Sequence, residues 1–356
     1  MILALWLACG GPDPKVPTET GADTAPADTT YPYEHLGTWG FFDGALADLS
    51  PADGVLRYEV AARLWSDGAA KDRYLVLPEG GAATMTETDD WTFPDGSVVI
   101  KHFAFPLDDR DPDGARRAVE TRLLVRVDGL WEQQIYVWNE AQDDAVREVA
   151  GSRVMLDRVD TDGVAYTQEY LIPNSNQCES CHMRDDVQHL LGPDTRQMNR
   201  DVEVDGVETP QIDWLASVGF FDTPPPAAAE LPAFPDPWDT SIDLDTRARA
   251  YLHANCSHCH RSGGGGGNSG LVLLADGTDP GNYGICKITS AAGAGTGGHT
   301  YVIVPGDPDS SIMVYRMEST DPELKMPELP NLQPDDEGVA LIREWIAAMD
   351  GDACTD

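Results

Sequence analysis

Residues 176–186 read NQCESCHMRDD, and residues 254–267 read ANCSHCHRSGGGGG. The chain carries Cys-x-x-Cys-His twice, at Cys178–His182 and at Cys256–His260. What surrounds each copy decides the fold. The second follows IDLDTRARAYLHAN, an acidic start and then the helix formers Arg247, Ala248, Ala250 and Leu252, so a helix leads into it. The first follows a long stretch with strand character, so a β domain leads into that one.

The spacing has a chemical cause. Two thiols separated by two residues reach both vinyl groups on one edge of a haem, and the next residue, His, falls beneath the iron. Cys178, Cys181, Cys256 and Cys259 are therefore expected to bind two haems covalently, with His182 and His260 as iron ligands. A zinc ribbon from the same four cysteines competes on spacing, but leaves both histidines idle. A thioredoxin-like redox pair does not explain a His after each copy.

Beyond the second copy, ELKMPELP (323–330) offers Met326 in a Met-Pro loop as the distal sulfur ligand, with Met313 and Met317 as weaker rivals. PDDEGVALIREWIAAM (334–349) sets Leu341, Ile342, Trp345, Ile346 and Met349 on one helical face. Helix, motif, Met loop and closing helix make the layout of a class I cytochrome c. The glycine run 263–267 reads as a flexible loop, without the Lys-Ser/Thr of a nucleotide cradle. Around the first copy, Met198 has the reach for the opposite face of the iron. His189 is second, an open position third, and Met183 adjoins His182 too closely.

Six short runs in front of the first copy are rich in β-branched and aromatic residues: RYLVLP, GSVVIKHFAF, ETRLLVRVDG, EQQIYVWN, SRVMLDRV and VAYTQEYLI. Pro94-Asp95-Gly96, Asp128-Gly129 and Asp162-Gly163 separate several of them. They imply a sandwich or a curved antiparallel sheet. His35 and His102 in this region read as structural. The fold class expected is α+β and multidomain: a mostly antiparallel N-terminal β domain carrying the first haem motif, then an all-α cytochrome c-like domain. The boundaries are a leader over 1–9, a disordered tether over 10–34, the β domain over 35–175, the first haem segment over 176–223, a Pro-rich linker over 224–241 and the cytochrome c-like domain over 242–356.

The leader MILALWLAC is apolar, too short to span a bilayer, and ends at Cys9 as a lipoprotein cleavage box does. Lipidation at Cys9 would make the protein an exported periplasmic or cell-surface lipoprotein of a Gram-negative bacterium, held to the membrane by its anchor alone. Of the seven cysteines, Cys286 and Cys354 then remain, and are expected to form a disulfide worth about 2–4 kcal/mol. The 356 residues carry a net charge of −37. That charge excludes nucleic acid as a partner and favours a basic redox partner.

In order, LWSDGAAKDRYLVLPEG, FPDGSVVIKHFAF, ETRLLVRVDGLWEQQIYVWNEAQ, NSNQCESCH, YLHANCSHCHRSGGG and KMPEL resemble a family of exported bacterial dihaem c-type cytochromes of unestablished function. The likeness runs over most of residues 35–350. It implies haem on the four motif cysteines, with His182, His260 and Met326 on iron. The front half alone is similar to small c-haem enzymes whose haem is cross-linked to a lysine and which oxidise hydroxylamine, and there it implies a role for Lys101. Two functions follow as expectations. One is single-electron transfer between periplasmic or surface redox partners. The alternative is a dihaem oxidoreductase of peroxidase, thiosulfate- or hydroxylamine-oxidising type, with haem 1 catalytic and haem 2 relaying electrons.

Overall fold

The computed structural model describes residues 30–87, 90–289, 292–351 and 354. The lipidation site expected at Cys9, the leader and most of the tether lie outside them.

Two short strands, β1 (Phe42–Asp43) and β2 (Ser50–Pro51), pair near the start. Six more follow: β3 (Val55–Arg57), β4 (Ala70–Val76), β5 (Val98–Pro106), β6 (Arg116–Val127), β7 (Leu130–Trp138) and β8 (Ala145–Arg147). They form one antiparallel sheet in chain order, β3-β4-β5-β6-β7-β8. Asp128 and Gly129 make the β6–β7 turn at φ 49° and 77°, the left-handed pair that a tight hairpin needs. A separate hairpin, β9 (Ser152–Val159) with β10 (Ala165–Ile172), crosses one end of the sheet.

Alternation along the strands gives the sheet two unlike faces. On one, Tyr74, Ile100, Leu123 and Tyr136 pack against Tyr33, Leu36, Trp39 and Phe41. On the other, Leu75, Val99, Leu124 and Trp131 are covered at one end by Trp91, Phe93, Met198, Ile212 and Phe220. At the opposite end of that face, Phe103, Phe105 and Ile135 meet Leu156, Tyr170 and Ile172 of the hairpin. The first motif docks at this second end.

The remaining elements are α1 (Ser175–His182), the hairpin β11 (Met183–Arg184)–β12 (Val187–Gln188), α2 (Thr195–Met198), the hairpin β13 (Asp201–Val204)–β14 (Val207–Pro210), α3 (Gln211–Ser217), α4 (Leu244–Asn255), α5 (Ile312–Glu318) and α6 (Asp336–Ala347).

The expected α+β assembly with a closing all-α cytochrome c-like domain is corrected here. Strands make up 27% of the chain and helices 22%, so β structure predominates and residues 242–356 do not form an all-α domain. The expected helices before the second motif and at the end are present as α4 and α6. Between α4 and α5, however, the chain runs through turns and isolated bridges such as Ile285↔Ile303 and Ile288↔Tyr301. Glycine explains this: each glycine costs a helix about 1 kcal/mol relative to alanine. This stretch holds the run 263–267 and further glycines at 270, 277, 281, 284, 293, 295, 297 and 298.

The Pro-rich stretch 224–241 is packed rather than loose. Asn199 donates its side-chain N–H groups to the carbonyls of Ala228 and Leu231 at 2.9 Å each. Phe234 is buried among Ala61, Ala62 and Ala250, and so joins the sheet half to α4.

Candidate functional site

Helix α1 carries the first motif. Asn174 accepts the N–H of Gln177 at 2.9 Å, and the Gln177 side chain accepts the N–H of Asn174 at 2.9 Å. This reciprocal cap at Asn174 starts the helix at Ser175. Cys178, Cys181 and His182 then fall at i, i+3 and i+4, on one helical face. Nδ1 of His182 lies 2.9 Å from the carbonyl oxygen of His189. A carbonyl only accepts, so Nδ1 carries the proton and Nε2 keeps a free lone pair. Burial lowers the His182 pKa to about 4, so the ring is neutral near pH 7. Cys178 is buried with Phe103, Tyr170 and Ile172, and burial pushes its thiol up to about 11.

Helix α4 delivers the second motif. Asp243 caps it by accepting the Thr246 N–H at 2.9 Å, and Cys256 ends it. The chain closes one more turn, with the His260 N–H on the Cys256 carbonyl at 2.9 Å. Ser269 Oγ lies 3.1 Å from His260 Nδ1 and donates its own proton to the Gly266 carbonyl at 2.6 Å. Ser269 therefore accepts from Nδ1, and His260 also presents a free Nε2. Burial, then the charges of His258 and Arg316, lower the His260 pKa to about 4. Burial raises the Cys256 thiol to about 12. Buried Asn255 ties this motif to the sheet half: its Oδ1 accepts the Trp65 N–H at 2.7 Å, and its Nδ2 donates to the Arg63 carbonyl at 3.1 Å.

The two motifs meet, although 78 residues separate Cys181 from Cys259 in sequence. Ligand atoms of Cys181, His258 and Cys259 lie within 4.8 Å of one another. The Cys259 sulfur lies 3.6 Å from the Ser180 carbonyl oxygen. Cys181 is held well below the ordinary thiol range, first by its hydrogen bond with Cys259, against burial, and then by His258. The glycine run permits the approach. A Cβ on Gly265 would sit 3.1 Å from the Ser180 carbonyl, and one on Gly266 would sit 3.0 Å from the His260 ring. Gly263, at φ 74°, accepts the Asp185 N–H at 3.1 Å. The run expected to be a flexible loop is thus the seam between the motifs.

The donor chemistry of these residues is the kind a covalently bound haem would use. The four motif thiols are free, and each histidine offers Nε2 with its tautomer set by a partner on Nδ1, as a ligating imidazole requires. Gln133 of β7 has both polar atoms of its amide buried without a hydrogen-bond partner among the described residues. Cys181, His258 and Cys259 also supply three donors for a metal ion such as zinc, one short of the usual four.

The other expected site residues fall as follows. Met326 is half-buried, its N–H on the Arg316 carbonyl at 2.9 Å, and Arg316 is close enough for its charge to act on His260. Its loop is pinned to the sheet half, since buried Asp67 accepts the N–H groups of Leu332 and Gln333 at 2.9–3.0 Å. Met313 and Met317 belong to the core around α4 and α6. Met198 is fully buried in the cluster of Trp91 and Phe93, and its sulfur lies 3.7 Å from Gln211 Nε2. It fills the core there. His189 faces Arg184 at 3.0 Å, and its carbonyl orients His182 from the same hairpin, where Met183 pairs with Gln188. His35 binds Asp144 and buried His102 binds Thr121, both structural contacts. Cys286 and Cys354 form the expected disulfide, their Cα atoms 5.2 Å apart.

Sequence reasoning singled out Lys101 by resemblance and missed the cations around it. Register aligns Arg73, Lys101 and Arg122 directly across β4, β5 and β6, so all three point from the face that carries the first motif. Lys71 lies one step along, and Phe103 stands among them: its ring centroid is 5.9 Å from Lys71 Nζ, 5.2 Å from Lys101 Nζ and 4.5 Å from Arg122 Cζ. Burial, then the charges of Arg73, Lys71 and Arg122, lower the Lys101 pKa well below the ordinary lysine range. The only sequence signal is a cation on each of three consecutive strands, and the register that aligns them is not written locally.

No family model, no curated protein and no solved structure matches this chain.

Proposed function

We propose that this protein is a dihaem c-type protein that moves single electrons. Cys178 and Cys181 would hold one haem and Cys256 and Cys259 the other, with His182 and His260 as iron ligands through Nε2 and Met326 as the further ligand expected at the second. When bound, the haems supply the one-electron chemistry. The observation that carries the reading is the meeting of the two motifs at Cys181, His258 and Cys259. Two attachment sites sharing one seam suit electron exchange between their cofactors better than two unrelated metal sites would. The protein's own residues set the tautomers of both imidazoles, keep them neutral by burial, and hold the two halves together through Asn255 and Asp67.

The location proposed is the periplasm or cell surface, with Cys9 as lipid anchor. Among the described residues no helix is long and apolar enough to cross a membrane. A net charge of −37 favours a basic redox partner. The rate of reduction by such a partner is expected to fall as salt rises, and a flat rate from low to high ionic strength would refute the steering idea. A second reading, in which the haem at His182 is catalytic, is favoured by the cationic row facing the first motif.

The test is production of the full chain in a host that attaches haem c, followed by intact mass, metal analysis and the reduced absorption spectrum. Two covalent haems are expected. Each double variant, Cys178→Ala/Cys181→Ala or Cys256→Ala/Cys259→Ala, should lose one. A chain carrying bound zinc and no haem would overturn the reading.

A further inference from the structure

The sheet face beside the first motif carries Lys71, Arg73, Lys101 and Arg122 with one carboxylate on the same strands, Glu120, while buried Asp67 in the loop before β4 is near enough to feel the charge of Lys71. Like charges directly across strands destabilise a sheet. The chain has only 24 Lys and Arg against 61 Asp and Glu, so carboxylate partners are plentiful elsewhere. Glu120 is already spoken for: it binds the Arg122 guanidinium at 2.6 and 2.8 Å and accepts the Tyr170 hydroxyl at 2.6 Å. Lys71 donates to the carbonyls of Leu64 and Ala69 at 2.7 and 3.2 Å. Buried Arg73 has one long bond, 3.4 Å to the Lys71 carbonyl. Lys101 has no hydrogen-bond or ion-pair partner among the described residues. One strand further, on the same face of β7, stands Gln133 with its orphaned amide. The row is near the motif: the charges of Lys101 and Arg122 act on His182, and that of Arg122 on Cys178.

We infer that Arg73, Lys101 and Arg122, with Lys71 and the Gln133 amide beside them, form a binding site for a carboxylate or small oxyanion next to the first motif. A guanidinium and an ammonium side by side suit two oxygens of one anion, and the amide N–H adds a neutral donor. The bound anion supplies a counter-charge to Arg73 and Lys101, which no carboxylate hydrogen-bonds among the described residues. Two sources share this chemistry: the propionate carboxylates of a haem on Cys178 and Cys181, or a free anion brought to that haem as substrate. The inference rests on the haem reading only for the identity of the neighbour.

The experiment is calorimetric titration of sulfate and of acetate into the full chain at low ionic strength, with and without Cys178→Ala/Cys181→Ala. Lys101→Gln and Arg73→Gln are compared with Arg153→Gln, which alters an exposed arginine paired with Glu169. If the haem-bearing protein binds either anion and Lys101→Gln weakens it about tenfold, as loss of one charge-assisted bond should, the site takes a free anion. If binding appears only after the two cysteines are removed, and Lys101→Gln abolishes it, the row holds the propionates. Lys101→Arg should preserve binding in either case, which separates lost charge from lost folding. No binding in either background, or binding indifferent to Lys101→Gln and Arg73→Gln, overturns the site. Intact mass reports haem separately, so a chain without haem that still binds anions through Lys101 would sink the haem reading and leave this one standing.

Discussion

Around Cys178–His182 the neighbours are strands and charge: Phe103 and Tyr170 against the thiol, and a row of cations across β4, β5 and β6. Around Cys256–His260 they are helices, glycine and apolar side chains, with Tyr251, Leu252, Met313, Leu341 and Trp345 packed as one core. The same five-residue signature therefore sits in two different electrostatic settings. An iron beside the row would be stabilised in its reduced, less positive state, unless a bound anion offsets the cations. The second setting supplies mainly burial and the Met326 loop. The difference teaches that a signature defines what is attached, and its surroundings define what the attached group does.

The largest effect expected is all-or-none, and it sharpens the comparison. On the dihaem proposal, losing one cysteine pair should remove one haem and leave the spectrum of the other, so the two double variants should give two distinguishable single-haem spectra. Identical spectra would break the contrast. Next is the tie between the halves. Asp67→Ala leaves two backbone N–H groups without their carboxylate and is expected to cost about 3 kcal/mol, read from denaturant midpoints. The half containing α6 should loosen before the sheet.

Removing the disulfide tests the second half alone. Cys286→Ser/Cys354→Ser opens a loop of 68 residues and should lower stability by about 2–4 kcal/mol without changing the first haem's spectrum. Acid protonates buried histidines in both halves, since His182, His253 and His260 are lowered to about 4 as His102 is, and a substitution isolates the one in the sheet. Burial holds the His102 pKa near 4, below its unfolded value of about 6.5. The neutral ring is favoured in the fold, so its contribution is present above about pH 6.5 and is lost as pH falls toward 4. The loss is on the order of 3 kcal/mol at most. His102→Gln should make that part of the stability profile shallower, and an unchanged acid slope would refute the assignment. The smallest effect belongs to Arg153→Gln: Arg153 and Glu169 are both exposed, so a change below about 0.5 kcal/mol is expected.

The strands were legible because their side chains alternate and their turns carry Asp-Gly. All six runs read from the sequence appear as β4, β5, β6, β7, β9 and β10. Helices α4 and α6 were legible from acidic caps and periodicity. The all-α expectation failed between them, where two good helices were allowed to speak for a glycine-rich stretch that cannot be helical. Met198 had the right element and distance in sequence, but its burial beside Trp91 is a matter of packing that spacing does not report.

By itself, the sequence determined the chemistry the chain can offer: two thiol pairs each followed by an imidazole, a disulfide pair, an acidic surface and a run of strands. These are local, because thiol spacing, alternation and turn residues act over a few positions. Tertiary structure alone decided that Cys181 meets His258 and Cys259, that His189 and Ser269 set the two imidazole tautomers, and that Arg73, Lys101 and Arg122 stand in one row. Those pairings depend on strand register and on the packing of segments far apart in the chain, and a one-residue slip in register would turn the row to the other face.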